Sequence, residues 1–321
     1  MILLLGASGY IGQAFAAELQ RRELSFTPLA RREVDYSRFE VLLKCLRERR
    51  PAFVINAAGY IGKPNVDACE NAKAETLFGN VALPLTISHA CAEAGIPWGH
   101  VSTGCIFNGA KVRGDDGGWR VEADLNKPEV RGLFEANSAD FQGFSEEDEP
   151  NFSFRHPPCS FHNGTKVLAE EAIRETGQVY IWRLRIPFDE FDSPRNALTK
   201  LQKYPKVYDN INSFSHRGDF ARACLDLRER RAAFGTYNVT NPGAISTRQI
   251  IGKIQRLLKP ARSFEFFADD HQFYATGVKA PRSNCILDTR KLLAAGVAMR
   301  TADEALEDAL HRWKPEVGNA A

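Results

Sequence analysis

Short apolar runs alternate along the first half of the chain with longer stretches whose apolar positions recur every three or four residues. Met1 to Leu5 predicts a first strand, Gln13–Arg22 an amphipathic helix, Phe26–Ala30 a second strand and Ser37–Arg50 a second helix. FVIN at 53–56 reads as a third strand. Asn65 is placed to cap a helix running towards Phe78, and Pro84–Ala94 predicts another that stops at Gly95 before a fourth strand, Trp98–Ser102. A helix over 166–176 leads into a strand at Val179–Arg185. Strand and helix in strict alternation imply βαβ units, a parallel sheet and an α/β, Rossmann-type doubly wound fold.

After Pro187 the rhythm loosens. Helices are expected near Ala197–Lys203 and over Asp219–Arg230, Thr247–Leu258 and Ala302–Trp313, with a strand at Thr236–Val239. The pattern assigns residues 1–186 and about 206–240 to the large domain. It assigns 187–205 and 241–321 to a smaller C-terminal α/β lobe suited to covering a substrate. Residues 110–145 are glycine-rich, charged and nearly aperiodic, the marks of a long loop; Phe134, Phe141 and Phe144 favour a lid that packs on something.

Composition narrows the class. With 321 residues, 44% hydrophobic and 26% charged, the chain can bury one large core and a smaller one. Its 42 basic and 40 acidic residues nearly cancel, and its arginine clusters are dispersed, which argues against nucleic acid as a partner. The apolar start is too short, and lacks the flanking charge, for a signal peptide or membrane span, so no membrane partner and a cytoplasmic location are expected. Seven cysteines without a CxxC pair do not form a disulfide framework. His156, Cys159 and His162 lie at three-residue intervals, but two prolines intervene and no fourth ligand is evident, so no metal site is expected.

GASGYIG places Gly6, Gly9 and Gly12 between the first strand and the first helix, with Ser8, Tyr10 and Ile11 in the same turn. In that context the glycines allow a tight turn and close approach to a pyrophosphate, which the helix N-terminus attracts. The large domain is therefore expected to bind a dinucleotide. An acidic residue ending the second strand would take the ribose diol of NAD; here the chain reads LARRE. Arg31 and Arg32 suit a 2'-phosphate, which favours NADP(H) over NAD(H).

The glycine spacing, NAAG at Asn56–Gly59 and STGCIF at Ser102–Phe107 resemble the extended short-chain dehydrogenase/reductases. VINAAGYIGKPNVDACE, EEDEPNF, SPRNALTK, YNVTNPG and APRSN resemble, more narrowly, the nucleotide-rhamnose synthase branch, the 3,5-epimerase/4-reductases related to dTDP-4-dehydrorhamnose reductase. The motifs run in order from Gly6 to Asn284. The resemblance implies a nucleotide-bound 4-keto-6-deoxyhexose substrate, inversion at C3 and C5, and hydride delivery to C4. It places Thr103 on the C4 oxygen, Lys166 on the nicotinamide ribose, and Cys105 with Lys200 as the acid/base pair of epimerisation. It further implies that Asn56, Ala57, Ala58, Gly59 and Tyr60 line the cofactor and that Asn65, Asn196 and Arg282 contact the nucleotide-sugar. Helices 66–78, 84–94 and 166–176 would offer the four-helix contact of a homodimer.

One position departs from the pattern. Where the family has Tyr-x-x-x-Lys, this chain has His162-Asn-Gly-Thr-Lys166. Residues four apart share a helix face, so His162 should still lie beside Lys166. A nearby ammonium makes a tyrosine a better acid, but it drives an imidazole below its ordinary value of about 6.5 and leaves it neutral. A neutral imidazole is a poor proton donor, so ketone reduction should be impaired or rerouted, with Tyr60 as a substitute donor. Two other readings stay open: a divergent dehydrogenase/reductase with another substrate, and a non-catalytic dinucleotide-binding regulator.

Overall fold

Strand β1 (Ile2–Leu5) is buried at every position because helices cover both faces of its sheet, which is why its sequence is a continuous apolar run rather than an alternating one. The computed structural model describes residues 1–63 and 65–315, so 316–321 of the expected lobe lie outside the described residues. After β1 come α1 (Tyr10–Arg21), β2 (Phe26–Leu29), α2 (Phe39–Arg49), β3 (Phe53–Asn56), α3 (Lys73–Leu77), α4 (Leu83–Ala94) and β4 (Trp98–Thr103). The chain then leaves the sheet for β5 (Ala110–Arg113), β6 (Trp119–Glu122), α5 (Pro128–Glu135) and β7 (Phe141–Gln142). It returns through α6 (Phe161–Ile173) and β8 (Val179–Leu184). The remainder comprises β9 (Pro187–Phe188), α7 (Ala197–Lys203), β10 (Lys206–Val207), β11 (Ile211–His216), α8 (Arg217–Glu229) and β12 (Gly235–Asn238). Last come β13 (Asn241–Ser246), α9 (Thr247–Leu258), β14 (Glu265–Phe266), α10 (Asp270–Thr276), α11 (Arg290–Ala294) and α12 (Ala302–His311).

The large sheet has the order β12-β8-β4-β3-β1-β2 and every neighbouring pair is parallel, a Rossmann-type arrangement. Strand order reverses between β1 and β3, so the crevice at their carboxyl ends is where ligands bind in such sheets. One face packs Phe15, Trp182 and Phe220 beneath α1 and α8, and the other packs Leu42, Ile87 and Trp98 beneath α2 and α4. A separate core around Phe188, Phe214, Ile250 and Leu306 belongs to the lobe. Among the described residues no helix is long and apolar enough to cross a membrane.

Three segments differ from the pattern-based expectations. The helix expected from Asn65 to Phe78 is broken into a 3-10 turn at Val66–Glu70, α3, and a π-helical turn at Phe78–Ala82 that runs into α4. The widened turn lets the helix approach the loop after β3, where a Cβ on Gly79 would lie 2.7 Å from that of Tyr60. Residues 110–145 form β5, β6, β7 and α5 rather than an irregular lid. The strands make a small antiparallel sheet, whose Ala110 and Val112 share a core with Leu125, Val130 of α5, Ile211 and Ile286. The stretch assigned to the large domain at about 206–240 divides, because β11 joins β9 and β13 in the lobe's sheet while α8 lies against α1.

Candidate active site

The glycine turn and the loop after β3 are pressed together. Gly6 has φ +75°, and a Cβ there would lie 2.5 Å from the Ala58 nitrogen and 2.7 Å from the Ala57 carbonyl carbon. A Cβ on Gly12 would lie 2.0 Å from the Gly6 oxygen, so both positions require glycine. Gly9 is different: its Cβ would meet only the Gly6 oxygen at 3.3 Å and otherwise open space, in front of the uncapped N-terminus of α1. That is a cradle with free N–H donors, fitted to a pyrophosphate. Asn56 holds the opposite wall. Its Oδ1 accepts the Ala58 N–H at 3.0 Å, and its Nδ2 donates to His100 Nδ1 at 3.0 Å.

Within the turn, Ser8 is exposed and Ile11 packs on the sheet core. The side chain of Tyr10 turns away, donating its hydroxyl to Asp189 Oδ1 at 2.9 Å beneath the Arg217 guanidinium, so only its main chain faces the cradle. Arg31 and Arg32 are exposed just past β2. The nearby Tyr36 is buried, and burial raises its phenol while Arg31 and the Gly6 main chain draw it back.

Helix α6 begins at Phe161, five residues earlier than expected, because the Ser160 side chain caps it by accepting the Asn163 N–H at 3.2 Å. Such a cap contributes about 1 kcal/mol. His162 and Lys166 are therefore both inside the helix and both 6% exposed. Lys166 Nζ lies 3.5 Å from where a Gly59 Cβ would stand, so the amine is seated against the NAAG segment. Burial pulls Lys166 down to about 8, opposed in part by Glu170. Burial, then the Lys166 charge, pulls His162 down to about 4, against a hydrogen bond to Asn163. That bond joins His162 Nδ1 to Asn163 Oδ1 at 2.9 Å. An amide oxygen only accepts, so Nδ1 carries the imidazole proton and the unpartnered Nε2 presents a lone pair.

Thr103 ends β4, and its Oγ1 accepts the Cys105 N–H at 3.1 Å. Beneath it, Ser102 donates to Glu170, which forms a buried ion pair with Arg183 at 2.7 Å. Lys200 lies on α7, lowered by burial and then by Arg195 and Arg282. Arg282 pairs with Asp67 at 2.8 Å, Arg195 donates to the Gly62 oxygen at 3.3 Å, and Asn65 Oδ1 accepts the Asp67 N–H at 2.8 Å. The loop after NAAG is thus bound to the lobe that carries Lys200.

The family model described as RmlD substrate binding domain matches residues 1–314. The chain belongs to this family. It is 31% identical over 305 residues to a bifunctional dTDP-4-dehydrorhamnose 3,5-epimerase/dTDP-4-dehydrorhamnose reductase from Arabidopsis thaliana, covering 95% of this chain and 90% of that one. It is 32% identical over 291 residues to a trifunctional UDP-glucose 4,6-dehydratase/UDP-4-keto-6-deoxy-D-glucose 3,5-epimerase/UDP-4-keto-L-rhamnose-reductase of the same plant. That match takes in 90% of this chain but only 38% of the relative. Among solved structures, the L780 UDP-rhamnose synthase of Acanthamoeba polyphaga mimivirus superposes with a TM-score of 0.80 at 23% identity, covering 97% of this chain and 98% of that one.

In this member of the RmlD family the expected residues fall into two groups. Gly6, Gly9, Gly12, Asn56 to Tyr60, His162 and Lys166 gather at the switch point, while Lys200, Arg282 and Asn65 gather where the lobe meets the loop after β3. Asn196 stands apart from the expectation that it contacts the sugar. It is fully buried, caps α7 by accepting the Leu198 N–H at 2.9 Å, and donates to Asp189 and Phe191. Its amide is committed to holding α7, and hence Lys200, in place. Two residues escaped the reading of the sequence. Asn80, in the π-helical turn, takes the Tyr60 N–H at 2.9 Å and donates to the Tyr60 oxygen at 2.8 Å, fixing the NAAG loop. The other is Arg185, whose Nη1 lies 2.7 Å from Cys105 Sγ. An asparagine inside an apolar helical stretch was the available signal for the first, and nothing in RLRIP marked the second.

Proposed function

We propose that the protein is an NADP(H)-dependent enzyme acting on a nucleotide-activated 4-keto-6-deoxyhexose, inverting C3 and C5 and reducing C4, with the reductive step altered by His162. The observation that carries this reading is the site of an RmlD-family chain in which Lys166 is seated against Gly59 while Thr103 presents Cys105 at the carboxyl end of β4. The glycine cradle, Asn56 to Tyr60 and Lys166 would hold the dinucleotide, with Arg31 and Arg32 at its 2'-phosphate. When bound, that cofactor supplies a hydride.

The chain's own groups do the rest. The Thr103 hydroxyl, fixed by the Cys105 N–H, donates to the C4 oxygen and stabilises the enolate that forms when a neighbouring C–H proton leaves. Cys105 and Lys200 exchange those protons. Arg195 and Arg282 provide the positive field for the nucleotide's phosphates. His162, neutral and with a lone pair at Nε2, cannot protonate the C4 alkoxide directly, so the reductive proton comes from Tyr60 or from water held at Nε2.

Incubating the purified protein with NADPH and UDP- or dTDP-4-keto-6-deoxyglucose in deuterated water tests the reading. Deuterium should enter at C3 and C5 faster than NADPH is oxidised. Failure of both signals with both nucleotides overturns it.

A further inference from the structure

Two crossings of the chain between the large domain and the lobe meet at one buried carboxylate. The first leaves β8 through Ile186, enters β9 and reaches Asp189; the second leaves β11 and enters α8 at Arg217. Asp189 is 1% exposed. Its Oδ1 accepts the Tyr10 hydroxyl at 2.9 Å, the Asn196 side-chain amide at 2.8 Å and the Phe191 N–H at 3.2 Å, and its carboxylate is ion-paired with Arg217. Arg217 closes the ring by donating to the Tyr10 main-chain oxygen at 3.0 Å, with its guanidinium 4.4 Å from the centre of the Tyr10 ring.

These partners belong to different parts of the site. Tyr10 opens α1 within the glycine turn, so a residue of the cradle is held by both its hydroxyl and its carbonyl. Asn196 caps α7, and Lys200 lies one turn further along, its N–H taken by the Asn196 oxygen at 3.1 Å. The backbone beside the junction is strained. Ile186 has φ +35°, a left-handed conformation that a β-branched residue adopts only when its surroundings impose it. The turn into the lobe is therefore held by contacts from outside, and those of Asp189 reach the glycine turn and α8.

We propose that Asp189 is a positioning residue that couples the two halves of the site, so that a dinucleotide in the glycine cradle and a nucleoside diphosphate beside Lys200 each tighten the binding of the other. The two ligands are those of the proposed function, on which this coupling rests. A pyrophosphate on the N-terminus of α1 fixes Tyr10, Tyr10 fixes Asp189, and Asp189 fixes the start of α7. A second ligand then meets an α7 that is already ordered and loses less freedom on binding. The coupling is reciprocal, because both orders of binding reach the same complex.

Calorimetric titration of the full chain with NADPH, alone and with saturating UDP or dTDP, reads the coupling directly. The Kd for NADPH should fall by about five-fold or more when either nucleotide is present. Tyr10→Phe removes the hydroxyl from Asp189, and Asn196→Ser keeps a cap for α7 while being too short to reach Asp189. In each of them the ratio of the two Kd values should drop below about two. The ratio is taken within one protein, so a general weakening of either ligand cancels. Ser246→Ala, which removes the cap of α9 in the lobe, should lower the melting temperature but keep the wild-type ratio. A wild-type ratio near one with both ligands bound overturns the proposal, as does either linkage variant that keeps the wild-type ratio or a Ser246→Ala protein that loses it. Failure of NADPH or of both nucleotides to bind overturns the functional reading instead, and the coupling with it.

Discussion

On the α6 side of the site burial weakens two bases, leaving His162 neutral and Lys166 a strained cation, and on the β8 side the charge is held firmly. His162 is pushed to about 4 and Lys166 to about 8, with Glu170 too far committed to Arg183 to restore the lysine fully. Arg185 is as buried, yet burial fails to lower it because the Cys105 and Cys285 sulfurs offset the loss of water. The contrast matches the chemistry proposed for each side. A surface that must approach a nicotinamide and a ketone gains from a neutral imidazole and an ammonium that gives up its proton more readily than a free one. A surface that must stabilise a developing enolate gains from a held cation.

The largest effect should come from separating the two sides. Cys105→Ala and Lys200→Met should each lower deuterium incorporation at C3 and C5 by about a hundred-fold or more, with NADPH binding by fluorescence unchanged. Equal loss of cofactor binding would mean the sides are not separable. Next is the stability cost of the α6 side. Lys166 is lowered in the folded state, so it destabilises the fold fully below pH about 8, and the penalty is relieved as pH rises towards the unfolded value of about 10.5. Lys166→Met should therefore raise the unfolding free energy at pH 7 by up to about 3 kcal/mol. The gain over wild type should shrink between pH 8 and 10.5 in urea titrations; a variant that is less stable at pH 7 refutes the account.

The division was only half legible in the chain. Gly6, Gly9, Gly12 and the continuous apolar strands declare themselves because backbone sterics and a two-sided core leave few alternatives. The His162–Lys166 pair is equally local, four residues on one helix. Asn80 and Arg185 are not local: one needs a π-helical turn that brings it to Tyr60, and the other needs β8 to end beside the turn after β4. Asn196 misled for the opposite reason. A polar side chain in a motif invites a ligand role, although Asn before a helix is also one of the strongly preferred caps. Residues 110–145 looked irregular because their strands are four residues or shorter, too short for alternation to register.

Restoring the phenol should sharpen the contrast from the reductive side alone. His162→Tyr gives Lys166 an acid to assist rather than a base to suppress, so NADPH oxidation should rise by about ten-fold or more while deuterium incorporation is unchanged. The same variant should remove an acid-limb loss of stability. His162 is lowered when folded, so wild type loses stability as pH falls from about 6.5 through about 4, where the unfolded chain binds a proton that the folded one refuses. An unchanged oxidation rate in a well-folded variant would locate the reductive donor elsewhere, with Tyr60→Phe as the next substitution to read.

The smallest effect should lie outside both sides, at the cofactor's far end. Arg31 and Arg32 are exposed, and Arg32 has only a 4.0 Å approach to Glu33, so neither is needed by the fold. A charged hydrogen bond to phosphate contributes roughly 1.5–3 kcal/mol when shielded, less in open water. Arg31→Ala and Arg32→Ala should therefore each raise the KM for NADPH by about three- to ten-fold and leave that for NADH unchanged. The NADPH effect should fade as salt is raised from 0.05 to about 0.5 M, because screening weakens an exposed pair while hardly touching buried Lys166. A parallel rise for both cofactors would mean that the two arginines shape the pocket's edge rather than read the 2'-phosphate, and NADP(H) selectivity would have to be sought in Tyr36 and the Gly6 turn instead.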